Sequence, residues 1–88
     1  MNASKIELPL VHLNGTGKQR LMDGYSNALD SVRDAITAFE AIEFNARDYY
    51  PMGPDSFKKA REEHSARLEA LVSVRKDFET IVQHLSDL

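Results

Sequence analysis

Cysteine is absent from the 88-residue chain. Disulfides and thiolate metal sites are therefore excluded, and a reducing, cytoplasmic setting is the expectation. Long apolar runs are missing as well. None approaches the ~18 residues of a membrane span, and no signal-peptide core precedes the first polar residues. Positive charge is in short supply: 11 Lys and Arg stand against 14 Asp and Glu, for a net charge of −3. A protein that grips nucleic acid broadly needs a basic footprint, so DNA binding ranks last among the readings. Proline and glycine are scarce, at three and four residues, and they are concentrated in a few places. The stretches between them are free to form long helices.

What is present is enough apolar material for one small domain. Leu, Ile, Val and Phe make up 22 of the 88 residues, above the ~20% below which chains tend to stay unfolded. Residues 1–15 form an arm and turn. Ile6, Leu8 and Leu10 share one parity and Val11 and Leu13 the other, Pro9 interrupts, and Asn14-Gly15 ends the segment. The pattern suits a short strand or an extended arm, which must lie across a helix or pair with the arm of another copy.

From Thr16 the period lengthens. Thr16 and Gln19 have capping-box spacing, and Tyr25, Val32, Phe39 and Ala46 recur every seven residues. Ala28, Ala35 and Ile42 form a companion line that Leu29 and Ile36 widen. The spacing predicts a helix over about 17–45. Two prolines and a glycine then mark a loop over about 46–55. Asp55 or Ser56 caps a second helix over about 56–86, with Phe57, His64, Leu71, Phe78 and Leu85 on one line and Ala60, Arg67, Val74, Ile81 and Leu88 on the next. The fold expected is all-α: a long antiparallel helical hairpin with a short extended N-terminal arm. Each helix carries an apolar face wider than one partner helix covers. Dimerisation into a four-helix bundle is the economical remedy, and the alternative is a monomer whose arm covers the stripe.

Three places interrupt the apolar pattern with polar chemistry. His64 and Arg67 occupy seam positions one turn apart in helix two. The window from Arg47 to Arg67 holds five cations and four acids, so it is +1 where the remainder is −4. Either a small anion binds there, or these side chains sit solvated at a bundle end with their stems over Phe57. His12-Leu13-Asn14-Gly15-Thr16-Gly17-Lys18 sets glycines before a helix start. Backbone amides there can converge on a phosphate or carboxylate, with Thr16 and Lys18 as further donors. The spacing is not that of a Walker motif, and a tight turn followed by a cap explains it equally. Arg47-Asp48-Tyr49-Tyr50-Pro51 offers two aromatic faces for stacking and a guanidinium for phosphate, or else a plug for the hairpin end.

The start of helix one, with its glycine turn, and the tyrosine loop lie ~40 Å apart within one hairpin. An antiparallel twofold pairing brings them together. His12, Asn14 and Thr16 of one copy then face Arg47, Tyr50, His64 and Arg67 of the other, around two equivalent pockets. No Glu-x-x-His pair accompanies His64 or His84, and no serine stands beside a base in a strained turn. A non-enzymatic protein is expected, with no metal and no cofactor.

The His12–Thr16 block, the long helix after it, the run Arg47-Asp48-Tyr49-Tyr50-Pro51-Met52-Gly53 and Glu63-His64 resemble a group of small phage and prophage accessory proteins. The similarity covers most of the chain from Leu10 onward. It implies a phage setting, acting in the host cytoplasm, and no established activity. By analogy with oligomeric helical phage proteins that sequester host nucleotide immune signals, the first expectation is an oligomer binding a small anionic ligand, plausibly a nucleotide. The ligand-binding set is then His12, Asn14, Gly15, Thr16, Lys18, Arg47, Tyr49, Tyr50, His64 and Arg67. A protein–protein module using exposed helix faces, such as an inhibitor, adaptor or virion accessory protein, is the alternative.

Overall fold

The computed structural model describes residues 6–88; the part of the expected arm formed by residues 1–5 lies outside the described residues. Two long helices pack antiparallel, α1 over Lys18–Glu40 and α2 over Ser56–Ser86. They span about 34 and 46 Å at 1.5 Å per residue. No strand occurs among the described residues, and the arm from Ile6 to Gly17 is extended and irregular. The antiparallel alignment is set by ring pairs across the seam. Tyr25 meets Phe78 edge-on at 5.4 Å, and Phe39 stacks on His64 at 6.2 Å.

The deepest line of α1 is the one the heptad spacing treats as a flank: Leu29 and Ile36 are buried, whereas Tyr25, Val32 and Phe39 are half-buried beside them. In α2, Ile81 and Leu85 are buried, and the companion line of half-buried residues runs through Leu68, Arg75 and Val82. Arg67 therefore leaves the seam and points to solvent. Alternating steps of four and three residues keep a stripe facing a partner helix, and Leu68, Leu71, Arg75, Phe78, Val82 and Leu85 follow that rule.

α1 ends at Glu40, five residues before the end its periodicity suggests. Ala41 caps it with its amide on the Thr37 and Ala38 carbonyls, and by Asn45 the backbone is extended (φ −115°, ψ 135°). The reason lies in Phe44. A continuous helix would carry it about 140° around from Phe39, away from α2. Released from the helix, Phe44 turns back, stacks on His64 at 5.2 Å and meets Phe57 at a tilt at 5.4 Å. The connection then makes two 3₁₀ turns, Ala46–Asp48 and Tyr50–Met52. Amides of Asp48, Tyr49, Met52, Gly53 and Ser56 are all satisfied within it. Gly53 takes φ 107°, which a side chain would resist.

The start of α1 also differs from the capping-box expectation. Gly17 is the N-cap, no side chain caps the helix, and Gln19 donates to Asp23 Oδ1 at 2.8 Å. Thr16 stands one residue too early for its hydroxyl to reach the first-turn amides in the capping geometry.

The result is a rod of 61 × 26 × 18 Å with a radius of gyration of 18.4 Å. A compact chain of this length would have about 12 Å. Its accessible surface is 6616 Å², against ~5,200 Å² expected for a compact monomer of this mass.

Candidate functional site

The expected site residues fall at the two ends of the rod. At the loop pole, Phe44, Tyr49, Phe57 and His64 gather into one cluster. Tyr49 lies 5.7 Å from Phe44 and 5.9 Å from Phe57, and the His64 ring is nearly parallel to both Phe44 and Phe39. The irregular connection brings Tyr49 and His64 onto the same aromatic core from different elements. Such ring pairs add ~0.5–1.5 kcal/mol beyond the area they bury. Arg61 lays its guanidinium 5.4 Å from the Phe57 ring centre, a cation–π contact at the rim.

Tyr50 takes the opposite side of the turn and is 70% exposed. With Tyr49, Ala46, Gly53, Pro54 and Phe57 it walls an open groove of about 530 Å³. Its lining is aromatic, proline and small side chains, a surface suited to flat or apolar groups. Arg47 is exposed on the 3₁₀ turn that leads into this groove, and Arg67 is exposed three residues beyond His64. Tyr49 and Tyr50 thus share a groove, Tyr49 and His64 share a cluster, and Arg67 joins neither set.

At the arm pole the glycine turn is closed on itself. The Gly15 amide donates to the His12 carbonyl at 3.1 Å. The His12 ring sits directly on Gly15, where an added Cβ would meet Nε2 at 2.7 Å. A larger residue there would displace the exposed His12 ring. Lys18 Nζ donates to the Leu88 main-chain oxygen at 2.8 Å. Of the donors expected for an anion, the Gly15 amide and the Lys18 ammonium already have partners, while His12, Asn14 and Thr16 are exposed. Within one chain this set stands a full helix length from Arg47, Tyr49, Tyr50, His64 and Arg67.

Three contributors were not anticipated from spacing. Phe44 sits off every heptad line, and its signal was only that a large aromatic lay five residues beyond a seam phenylalanine. His84 Nε2 donates to the Pro9 carbonyl at 2.8 Å and ties the arm to α2. Arg75 replaces an apolar residue on the seam. Its Nε is buried without a hydrogen bond, 3.6 Å from Glu79, which also holds Arg33 at 3.1 Å. That network is largely solvated and contributes little to stability.

Among the described residues no three His, Asp or Glu side chains come close enough to hold a metal ion. No helix is long and apolar enough to cross a membrane. Comparison with protein-family models, with curated proteins and with solved structures finds no match to this chain.

Proposed function

We propose that the chain is a non-enzymatic interaction module that works as a self-associated helical bundle, its partner being first of all a second copy of itself. The observation that carries this reading is the imbalance of burial. Among the described residues four apolar ones are buried, whereas Leu10, Leu13, Ile42, Tyr50 and Met52 are each more than half exposed. The surface in excess of a compact monomer is ~1,400 Å². A standard interface covers ~800 Å² per partner, so one twofold contact has room within that excess. Light scattering in solution is the test. A mass about twice 9.9 kDa is expected, and a single-chain mass at micromolar concentration overturns the reading.

The second reading is a small anionic ligand, such as a nucleotide, bound where the loop pole of one copy meets the arm pole of another. What favours it is the groove walled by Tyr49 and Tyr50 beside the exposed Arg47. In the phage setting that the motif resemblance implies, such binding would sequester a nucleotide signal. A thermal-shift panel of nucleotides and cyclic dinucleotides tests it, because a ligand of the folded state raises the melting temperature by mass action. An unchanged melting temperature across the panel leaves the interaction module alone standing.

A further inference from the structure

The groove and the arm have complementary shortages. The loop-pole groove, about 530 Å³ between Tyr49, Tyr50, Pro54 and Phe57, is open, and no side chain of the described residues fills it. The arm carries the two leucines least covered by their own chain, Leu10 at 69% and Leu13 at 98% exposed. We propose that the groove at the loop pole is the docking site for the arm of a second copy, with Leu10 and Leu13 seated against Tyr49, Tyr50 and Phe57. The proposal rests on the self-association reading and names its interface.

Geometry decides which arm fills the groove. Leu13 lies five residues before Lys18, so it stays within ~17 Å of the start of α1 even if fully extended. Pro9, held on His84, keeps Leu10 at the same pole. The groove lies beyond the far end of α1, ~34 Å away. No chain can place its own Leu13 in its own groove. An antiparallel twofold pairing places each arm at the groove of the other copy, and the same contact forms twice, as a closed twofold interface requires.

Charge does not oppose this pairing. Residues 1–15 carry one lysine, Lys5, and one acid, Glu7, whereas the window from Arg47 to Arg67 holds five cations and four acids and is net positive. Arg61, over Phe57, stands on the rim of the groove. An arm of balanced charge meets a pole of net charge +1 without like-charge repulsion, so reach rather than charge sets this orientation. Proline in the arm costs it nothing here, because Pro9 already holds the segment extended and so less ordering is required on docking.

The absence of native cysteine permits a direct test. The Leu13→Cys and Tyr50→Cys variants are prepared separately, mixed in equal amounts and oxidised. A covalent dimer is expected from the mixture and from neither variant alone. In parallel, Leu13→Asp is expected to raise the dimer dissociation constant ~10- to 100-fold. Its helical circular dichroism should be unchanged, since the side chain touches almost nothing in its own chain. A wild-type protein that is monomeric by light scattering overturns both this inference and the reading beneath it. A wild-type dimer with no Leu13–Tyr50 link, or with unaltered affinity in Leu13→Asp, overturns the docking site alone.

Discussion

The two ends of α2 meet α1 on different terms. Near its C-terminal end, Ile81 and Leu85 are buried, Leu85 completely, beside the point where the arm is tied on through Pro9 and His84. From Ser56 to Ala70, no residue of α2 is buried, and the seam is filled by rings 5–6 Å apart that remain half-exposed. The difference is one of how many elements converge. Two helices touch along a line, and a side chain on that line keeps a wet flank unless a third element crosses it. The arm supplies the third element at one pole. At the other, broad aromatic rings spread over the gap without closing it.

Removing Leu85 is the strongest way to break this contrast. Leu85→Ala is expected to destabilise the fold by ~2–5 kcal/mol, the range for truncating a fully buried leucine, measured by urea denaturation. Phe57→Ala removes a larger side chain from the open pole. Because the site is half-exposed, its expected cost is only ~2 kcal/mol, below the ~3–5 kcal/mol of a buried phenylalanine. A Phe57→Ala loss that exceeded the Leu85→Ala loss would show the aromatic pole to be the true core.

The same contrast explains what could be read from the chain before its structure was seen. α2 is legible from end to end, Ser56 to Ser86, because Pro54 and Gly53 stop any helix before it and the seven-residue spacing persists through its polar members His64 and Arg75. α1 was legible at its start and not at its end. Ile42 and Ala46 continue the seven-residue repeat, but repetition states which residues favour burial, and Ile42 ends up 51% exposed. Phe44 bends the backbone away at Glu40, and a single off-register ring outweighs two residues in register. Of the expected site, the separation of its two halves followed from helix length alone. That Tyr49 and His64 would share a cluster depends on Phe44 and Phe57 bridging them, a contact between distant segments that no local spacing encodes. The helix begins one residue later than Thr16 would set it, because Gly17 keeps extended backbone and is itself the N-cap.

His84→Ala sharpens the contrast from the other side. It deletes the bond to the Pro9 carbonyl, and a single hydrogen bond contributes ~1 kcal/mol net. The amides of the arm and of the last turn of α2 are expected to exchange faster with deuterium, while those of the Phe44–Phe57 pole keep their rates. Faster exchange at both poles would mean that the arm stabilises the whole rod rather than one end of it.

Gly24 offers the smallest effect and the clearest sign. It lies inside α1, where glycine costs ~0.8–1 kcal/mol relative to alanine. A Cβ added there meets no atom within 4 Å. Around it, Arg20, Leu21, Tyr25, Ala28 and Phe78 border an open apolar notch of about 350 Å³. If the docked dimer joins only arm to groove, this notch faces water, and Gly24→Ala should gain ~0.5–1 kcal/mol by removing helix-interior glycine alone. That gain should be the same at low and high protein concentration, read as a shift in the urea midpoint. A gain that shrinks or reverses as concentration rises would put a partner helix in the notch. The interface would then run along α1 as well as between the poles, and the arm pole would be closed by two copies rather than by the arm.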